Sequence, residues 1–359
     1  MRIDWEAVSR DFLTEHAARG DRRAAQILRG LLLSEQPDED AAAEAAPRLA
    51  RIGIGVCTAR RPHMLANCLD AMGAQIVRAG VEVHIVVVDN EPTPNNRGLV
   101  EDFAARCAFQ VHYAHEPRRG IPQARNAALE KCLQLDVDWI AFTDDDCWVS
   151  PLWLGSLLEA AIKHKADAVY GRRDFVFPLP SPYWAARSEQ SYHVEGQRLP
   201  YAATHNVLFS ASLVHDGKLA GLRFDERLAH GEDTDFFYRA TQRGAHIVYS
   251  RQPIAFEMVS PERATLNYQT RRAYHYAASR SYFHRRHVGP LRALWGVLDR
   301  VVLKAPAAIA RLGVAPLVWP FDEQAFKSLV LKGAARLAGV AGAAAGLLGR
   351  PGNPYRTVD

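Results

Sequence analysis

Apolar and polar positions along the chain change their period near residue 51. Before it, Trp5, Val8 and Phe12 share one helical stripe and Ile27, Leu28, Leu31 and Leu32 another, which predicts two short helices. Ser34 to Pro47, rich in Asp, Glu and Ala, reads as a linker. From Arg51 onward short apolar runs alternate with amphipathic stretches. Strands are predicted at Ile52–Cys57, Val83–Val88, Phe109–Ala114 and Trp139–Phe142, and helices at Pro62–Ala79, Asn95–Cys107 and Pro122–Leu133. That alternation predicts an α/β unit with a doubly wound, mostly parallel sheet flanked by helices.

The pattern then loosens. A helix is expected over Pro151–His164 and a strand over Ala168–Val176, followed by a long proline-containing loop from Pro178 to Pro200 and a return to the sheet at Thr204–Phe209. A helix opens at Gly231-Glu-Asp, a strand ends at Glu257, and Arg263–His287 reads as a basic, aromatic-rich helix. Leu291–Leu348 alternates apolar stripes with Arg300, Lys304, Arg311, Lys327, Lys332 and Arg336, as expected of amphipathic helices in a membrane interface, with a soluble helical cap or dimer contact as the alternative. Three regions follow: an N-terminal helical extension and linker over 1–50, an α/β domain over 51–288, and C-terminal amphipathic helices over 289–359.

Composition narrows the classes. With 359 residues and 48% hydrophobic content the chain can bury a large core, and its net charge of +4 is modest. The charge is uneven: Arg263, Arg271, Arg272, Arg280, Arg285, Arg286 and Arg292 crowd one span and favour phosphates or an anionic surface. Neither zinc-finger spacing nor an RNA-binding signature accompanies them, so nucleic acid is not an expected partner. Five scattered cysteines without a Cys-x-x-Cys pair suit a reducing cytoplasm. Early charges at Asp4 and Glu6 argue against a secretory signal, and no uninterrupted apolar run reaches the roughly 20 residues that span a bilayer.

The chemistry concentrates at predicted strand ends, where open α/β sheets bind ligands. Asp144-Asp-Asp146 follows the apolar run Trp139–Phe142 and suits a divalent cation, or else a solvated turn or helix cap. Thr58 and Arg60 follow the first strand, and Asp89 follows the second, placed to bind a base or ribose or to cap a turn. Arg125 lies in the first turn of a helix introduced by Gly120 and Pro122, within reach of an anion at the sheet edge. Glu232 and Asp233 sit at another helix start, where capping explains one acid better than two. The first turn, Thr58-Ala-Arg-Arg-Pro62, lacks Gly-x-Gly-x-x-Gly, which disfavours NAD or FAD.

Taken together, Val56–Pro62, Val87–Asn90, Gly120–Asn126, Phe142–Asp146 and Gly231–Asp235 resemble, in order and approximate spacing, the family-2 glycosyltransferases over residues 51–288. Within that family the chain is most similar to bacterial exopolysaccharide and surface-glycan enzymes of the succinoglycan glucosyltransferase type. The resemblance implies a GT-A fold, a nucleotide-diphosphate sugar donor with UDP as the expected nucleotide, a divalent Mn or Mg, and inversion at the anomeric carbon. It implies that Thr58, Arg60 and Asp89 bind the nucleoside, that Arg125 lies near the nucleotide, and that Asn206 approaches the donor sugar. Asp144 and Asp146 match the two acids of Asp-x-Asp, the first near ribose and metal, the second on the metal. Asp233 matches the catalytic base, with Glu232 beside it in the acceptor site.

Two departures stand out. Glu257 occupies the place where many relatives carry a metal-binding His, so it is either an oxygen ligand or no ligand at all. Gln269-Thr-Arg-Arg272 is followed by Ala273 rather than the Trp of processive synthases, which favours transfer of a single sugar. The acceptor is expected to be a glycan or lipid-linked glycan at the cytoplasmic face of the membrane, with peripheral contact to anionic lipid. Alternatives are an inactive glycan-binding scaffold, opposed by the intact acids, and a sugar nucleotidyltransferase, opposed by the missing Gly-rich loop. An acid-nucleophile phosphatase is disfavoured by Trp148.

Overall fold

The computed structural model describes residues 49–176, 193–215, 221–260, 263 and 265–353. The expected N-terminal helices, the linker and most of the 178–200 loop, including Tyr183, Trp184 and Tyr192, lie outside the described residues.

β1 (Ala50–Thr58) is the middle of the N-terminal half of the sheet. It pairs in parallel with β2 (Val81–Asp89) on one side and β4 (Trp139–Asp144) on the other, and β3 (Gln110–His115) continues in parallel beyond β2. The alternation in Ile52-Gly-Ile-Gly-Val56 has a physical cause. Ile52, Ile54 and Val56 face one core with Leu65, Leu69 and Met72 of α1 (Pro62–Gly73) and Leu154 and Leu157 of α4 (Trp153–His164). The glycines face the other core. A Cβ on Gly53 would meet Cys132 Sγ at 2.6 Å, and one on Gly55 would meet the Phe142 ring at 2.6 Å. Only glycine lets α3 (Ile121–Gln134) and Phe142 approach this closely. That second core also gathers Val86, Val88, Ala128, Leu129, Phe209, Phe236 and Phe237, each fully buried and each contributing about 1.5–3 kcal/mol if large.

Past β4 antiparallel pairings join the parallel ones, although most paired residues of the sheet lie in parallel ladders. Its order is β3-β2-β1-β4-β8-β6-β9-β5, and β8 (Val207–Ser210) runs antiparallel to both β4 and β6 (Ala168–Val176). β9 (Ile247–Met258) lies parallel to β6, and the three-residue β5 (Cys147–Val149) joins β9 antiparallel. The short β7 (Arg198–Leu199) pairs with β9 off this path. The register of β6 against β9 slips between Gly171 and Arg172, from Ser250 to Ile254, a bulge that takes in Pro253, which has no N–H to give the ladder.

Helix boundaries shift from those predicted where a side chain intervenes. α1 ends at Gly73 rather than Ala79 because Gln75 leaves the helix, donates to Ala71 O and Ser150 O, and accepts from Leu154 N. α2 (Arg97–Ala104) is likewise shorter than Asn95–Cys107, since the backbone N–H groups of Asn95 and Asn96 both donate to Asp89. α5 (Glu232–Gln242) packs under the sheet, and α6 (Leu266–His287), capped by the Thr265 hydroxyl, leads to the C-terminal helices.

These are α7 (Pro290–Asp299), a π-helical turn at Arg300–Lys304, α8 (Ala305–Val318) and α9 (Glu323–Leu347). α9 lies against α6 at distances only glycine permits, with a Cβ on Gly342 falling 2.0 Å from Tyr274 O and one on Gly346 2.1 Å from Ala278 O. α8 rests on α9 through Leu312 and Gly333. Lys304 and Arg311 interrupt the apolar runs, yet Pro290–Val318 and Glu323–Leu347 are long and apolar enough, by length and composition, to cross a membrane.

Candidate active site at the sheet edge

The parallel register brings the predicted polar residues to one rim. Thr58 is opposite Asp89, and Cys57 is opposite Asp144, so the ends of β1, β2 and β4 coincide. Asp89 is fully buried. Its Oδ2 accepts from Asn95 N at 3.0 Å, Asn96 N at 2.9 Å and Tyr113 Oη at 3.0 Å, while Oδ1 is buried without a hydrogen-bond partner among the described residues. An unpaired buried carboxylate oxygen at a binding edge is costly unless a ligand donates to it. Arg60, also at the rim, is exposed, has φ of 60° and donates its N–H to Glu91.

Beyond β4 the three acids diverge. Asp145 turns inward, accepting from the Thr58 hydroxyl at 2.9 Å and from Arg61 at 3.2 Å. Burial pushes its carboxyl up to about 7 against the pull of Arg61. The Thr58 hydroxyl is therefore committed to the protein. Asp146 Oδ2 pairs with Arg61 at 3.1 Å and with Arg263 at 2.8 Å, and its Oδ1 has Cys147 Sγ at 3.9 Å. Asp144 Oδ1 accepts from Arg125 at 3.2 Å.

Arg125 is the joint of the site. The turn before its helix is held by Asn90, whose amide donates to Glu116 O and Arg118 O and accepts from Gly120 N, each at 2.8 Å. Its guanidinium, 8% exposed, reaches Asp144 with Nη2 and donates to Glu232 Oε1 with Nη1. Burial disfavours its charge, but Glu232, Asp144 and Asp233 outweigh this and hold it above the ordinary arginine range. Burial raises Glu232 to about 7, opposed by Arg125 and aided by Asp233.

Glu232 and Asp233 begin α5 after Gly231 at φ 81°. Asp233 is half-buried; its Oδ1 accepts from Thr234 N at 2.6 Å, and no hydrogen bond engages Oδ2 among the described residues. Asp235 faces the other way, held by Arg239 Nε and by His287 Nε2 at the end of α6, both at 2.7 Å. The basic helix thus grips the acid-bearing one.

Two predicted residues have their polar atoms engaged within the protein. Asn206 is 0% exposed, and its amide is spent inside the protein: Oδ1 accepts from Trp153 Nε1 at 2.8 Å, while Nδ2 donates to Arg172 O at 2.6 Å and Pro253 O at 2.9 Å. It fastens the β6–β9 bulge to α4, and its side chain is buried although β8 begins beside Thr143. Glu257 accepts from Arg173 Nη1 at Oε2 and from Arg263 Nη1 at Oε1, both at 3.0 Å. Burial raises its carboxyl, with Asp146 adding to this and the two arginines opposing it. Both Glu257 oxygens are thus engaged by arginines, the alternative in which it is not a ligand, and no group of three or more metal-binding side chains occurs among the described residues. Among the described residues Asp146 with Asp144 is a carboxylate pair of the kind that could hold a cation completed by phosphate oxygens and water.

Sequence reasoning missed two of the arginines that face these acids. Arg61 was visible only as the second half of Arg60-Arg61, and Arg173 as one of a pair inside a strand; neither carries a signal of its own.

A model of the family described as Glycosyl transferase family 2 matches residues 54–226. The chain is 34% identical over 230 residues to the succinoglycan biosynthesis protein ExoM of Rhizobium meliloti (strain 1021), covering 62% of this chain and 72% of that protein. It is 30% identical over 178 residues to the pre-mycofactocin glycosyltransferase of Mycobacterium tuberculosis (strain CDC 1551 / Oshkosh), spanning 48% of this chain and 36% of that enzyme. Among solved structures, S. aureus TarS 1–349 in complex with UDP superposes with a TM-score of 0.47 at 17% identity, over 81% of this chain and 88% of that one. Its complex with UDP-GlcNAc gives 0.48 at 14% identity, over 81% and 90%.

Proposed function

Because the chain belongs to glycosyltransferase family 2, we propose that it is an inverting glycosyltransferase which moves a single sugar from a nucleotide-diphosphate sugar to a glycan or lipid-linked glycan in bacterial polysaccharide biosynthesis. The observation that supports this best is the convergence of Asp89, Asp144 and Glu232-Asp233 on one sheet edge, with Arg125 tying the second to the third. Asp89 Oδ1 is the acceptor for an imide or ribose donor, which makes UDP the nucleotide of choice. Asp146 with Asp144 would hold Mn or Mg, which would supply Lewis-acid charge neutralisation for the diphosphate.

This chain's residues do the rest. Arg125 keeps Glu232 and Asp144 in register, so the donor side and the acceptor side of the site keep a fixed separation. Asp233 takes the proton of the acceptor hydroxyl as that oxygen attacks the anomeric carbon opposite the leaving group, and no covalent sugar intermediate is needed. Glu232, buried against Arg125, orients the acceptor side.

The exposed apolar surface of α7 and α8, with Arg300, Lys304 and Arg311, supports peripheral attachment to anionic lipid, at the cytoplasmic face of the membrane. The assignment is tested by screening nucleotide sugars for hydrolysis with and without Mn, using wild type and Asp146→Asn. Cation-dependent hydrolysis of one donor, lost in Asp146→Asn, is expected; no hydrolysis of any donor by the wild type, with or without acceptor glycans, contradicts it.

A further inference from the structure

Arg263 stands in the place that a cation at Asp146 needs. It lies just before α6, where Gln269 Nε2 donates to its carbonyl at 2.7 Å. Its two terminal nitrogens serve different acids: Nη2 holds Asp146 Oδ2 at 2.8 Å and Nη1 holds Glu257 Oε1 at 3.0 Å. Glu257 is tied in turn to Arg173. The result is a ladder of alternating charge, Arg173, Glu257, Arg263, Asp146, running from β6 through β9 to the acidic turn. Asp146 and Glu257 are nearly enclosed, with side chains 6% and 13% exposed, so the charge of each must be met locally.

A divalent cation approaching Asp146 therefore meets a guanidinium on the carboxylate it needs, and like charges at contact distance exclude one another. Arg61 shares Asp146 as well, but it spends the same Nη1 on Asp145 and Asp146. Arg263 differs in that releasing Asp146 leaves its second nitrogen on Glu257 as a pivot. The freed nitrogen then points into a site that, on the reading above, receives a diphosphate, for which arginine is a good partner.

We propose that Arg263 is an exchangeable counter-ion, tethered by Glu257, that guards Asp146 in the free protein and transfers to the donor's diphosphate when the nucleotide binds. The inference rests on the donor site proposed above. It makes cation and nucleotide binding mutually dependent: the nucleotide removes the charge that repels the cation, and by linkage the cation tightens the nucleotide by the same factor. It also gives Glu257 a use that is not metal ligation.

The test measures that coupling without turnover. Mn affinity is read from the free-ion EPR signal of the full-length protein, alone and with saturating UDP, and UDP affinity is read by calorimetry with and without Mn. In wild type, Mn alone binds weakly and UDP tightens it by about tenfold or more, a range typical of coupled sites. In Arg263→Gln, Mn alone binds roughly fivefold tighter, and UDP changes its affinity by no more than about twofold, the bulk of the coupling having been lost. Arg263→Lys keeps the charge but has one nitrogen in place of two, so it also loses most of the coupling. Circular dichroism melts establish which variants fold, and wild-type coupling in either folded variant overturns the proposal. If wild type binds UDP under no cation condition, the donor site itself fails and this inference falls with it. UDP and Mn binding with unaltered coupling in the variants defeats the counter-ion role alone.

Discussion

Arg125 is hydrogen-bonded to Glu232 although 107 residues separate them, one at the start of α3 and the other at the start of α5. Through the second nitrogen of the same guanidinium, Asp144 at the end of β4 joins the pair. The acidic turn and the Glu-Asp helix start are therefore parts of one charge network.

Removing the joint should be costly. Arg125→Ala leaves Glu232 buried without its counter-charge, a loss of about 3–5 kcal/mol for a broken buried pair. Urea unfolding is expected to show that loss, and the double variant Arg125→Ala with Glu232→Gln should recover a large part of it. A strictly additive double variant would mean that the two side chains are not coupled.

The pH dependence of stability follows from Asp145. Its carboxyl is raised to about 7 in the folded protein, by burial first, against about 3.9 in an unfolded chain. Folding therefore takes up a proton between those values, and this group favours the folded state most at acid pH and progressively less as pH rises through 7. Asp145→Asn, which keeps the shape and has no charge to bury, should gain melting temperature relative to wild type between pH 5 and pH 8. A difference that is flat or of opposite sign over that interval would show Asp145 to be well compensated by Thr58 and Arg61.

Membrane attachment is best tested in the full chain, since α9 is packed along α6 and its removal would strip a helix from the α/β unit. Trp295, Leu303 and Leu317 are each about two-thirds exposed or more. Replacing all three by Glu should abolish flotation with anionic vesicles and leave the fold intact. Wild-type binding should weaken with salt, each basic residue near such a surface contributing about 1 kcal/mol. Flotation equal on neutral and anionic vesicles would remove the charge from the account, and resistance to alkaline extraction would indicate crossing.

Much of this was legible in the chain. The strands from Ile52 to Phe142 and the helices between them announce themselves by period, and parallel pairing alone then sets Thr58, Asp89 and Asp144 on one edge. The mixed second half of the sheet was not, because β8 has four residues and β5 three, too short for alternation to declare direction. The fates of Asn206 and Glu257 were hidden for a different reason. Each is held in part by partners from β6 and β9, Arg172, Arg173 and Pro253, whose placement depends on a bulge that no local pattern encodes.

The claim that this site transfers sugar by direct displacement rests most directly on Asp233. With the donor and acceptor found by screening, turnover is compared in wild type, Asp233→Asn and Glu232→Gln, alongside UDP affinity in the presence of Mn. Asp233→Asn should lose roughly 10²- to 10⁴-fold in turnover, about 3–5 kcal/mol of barrier, with UDP affinity within about twofold of wild type because the proposed donor contacts lie on other loops. Glu232→Gln should weaken acceptor binding more than turnover. Near-normal turnover in Asp233→Asn, with Glu232→Gln inactive, would contradict the account and move the base to Glu232.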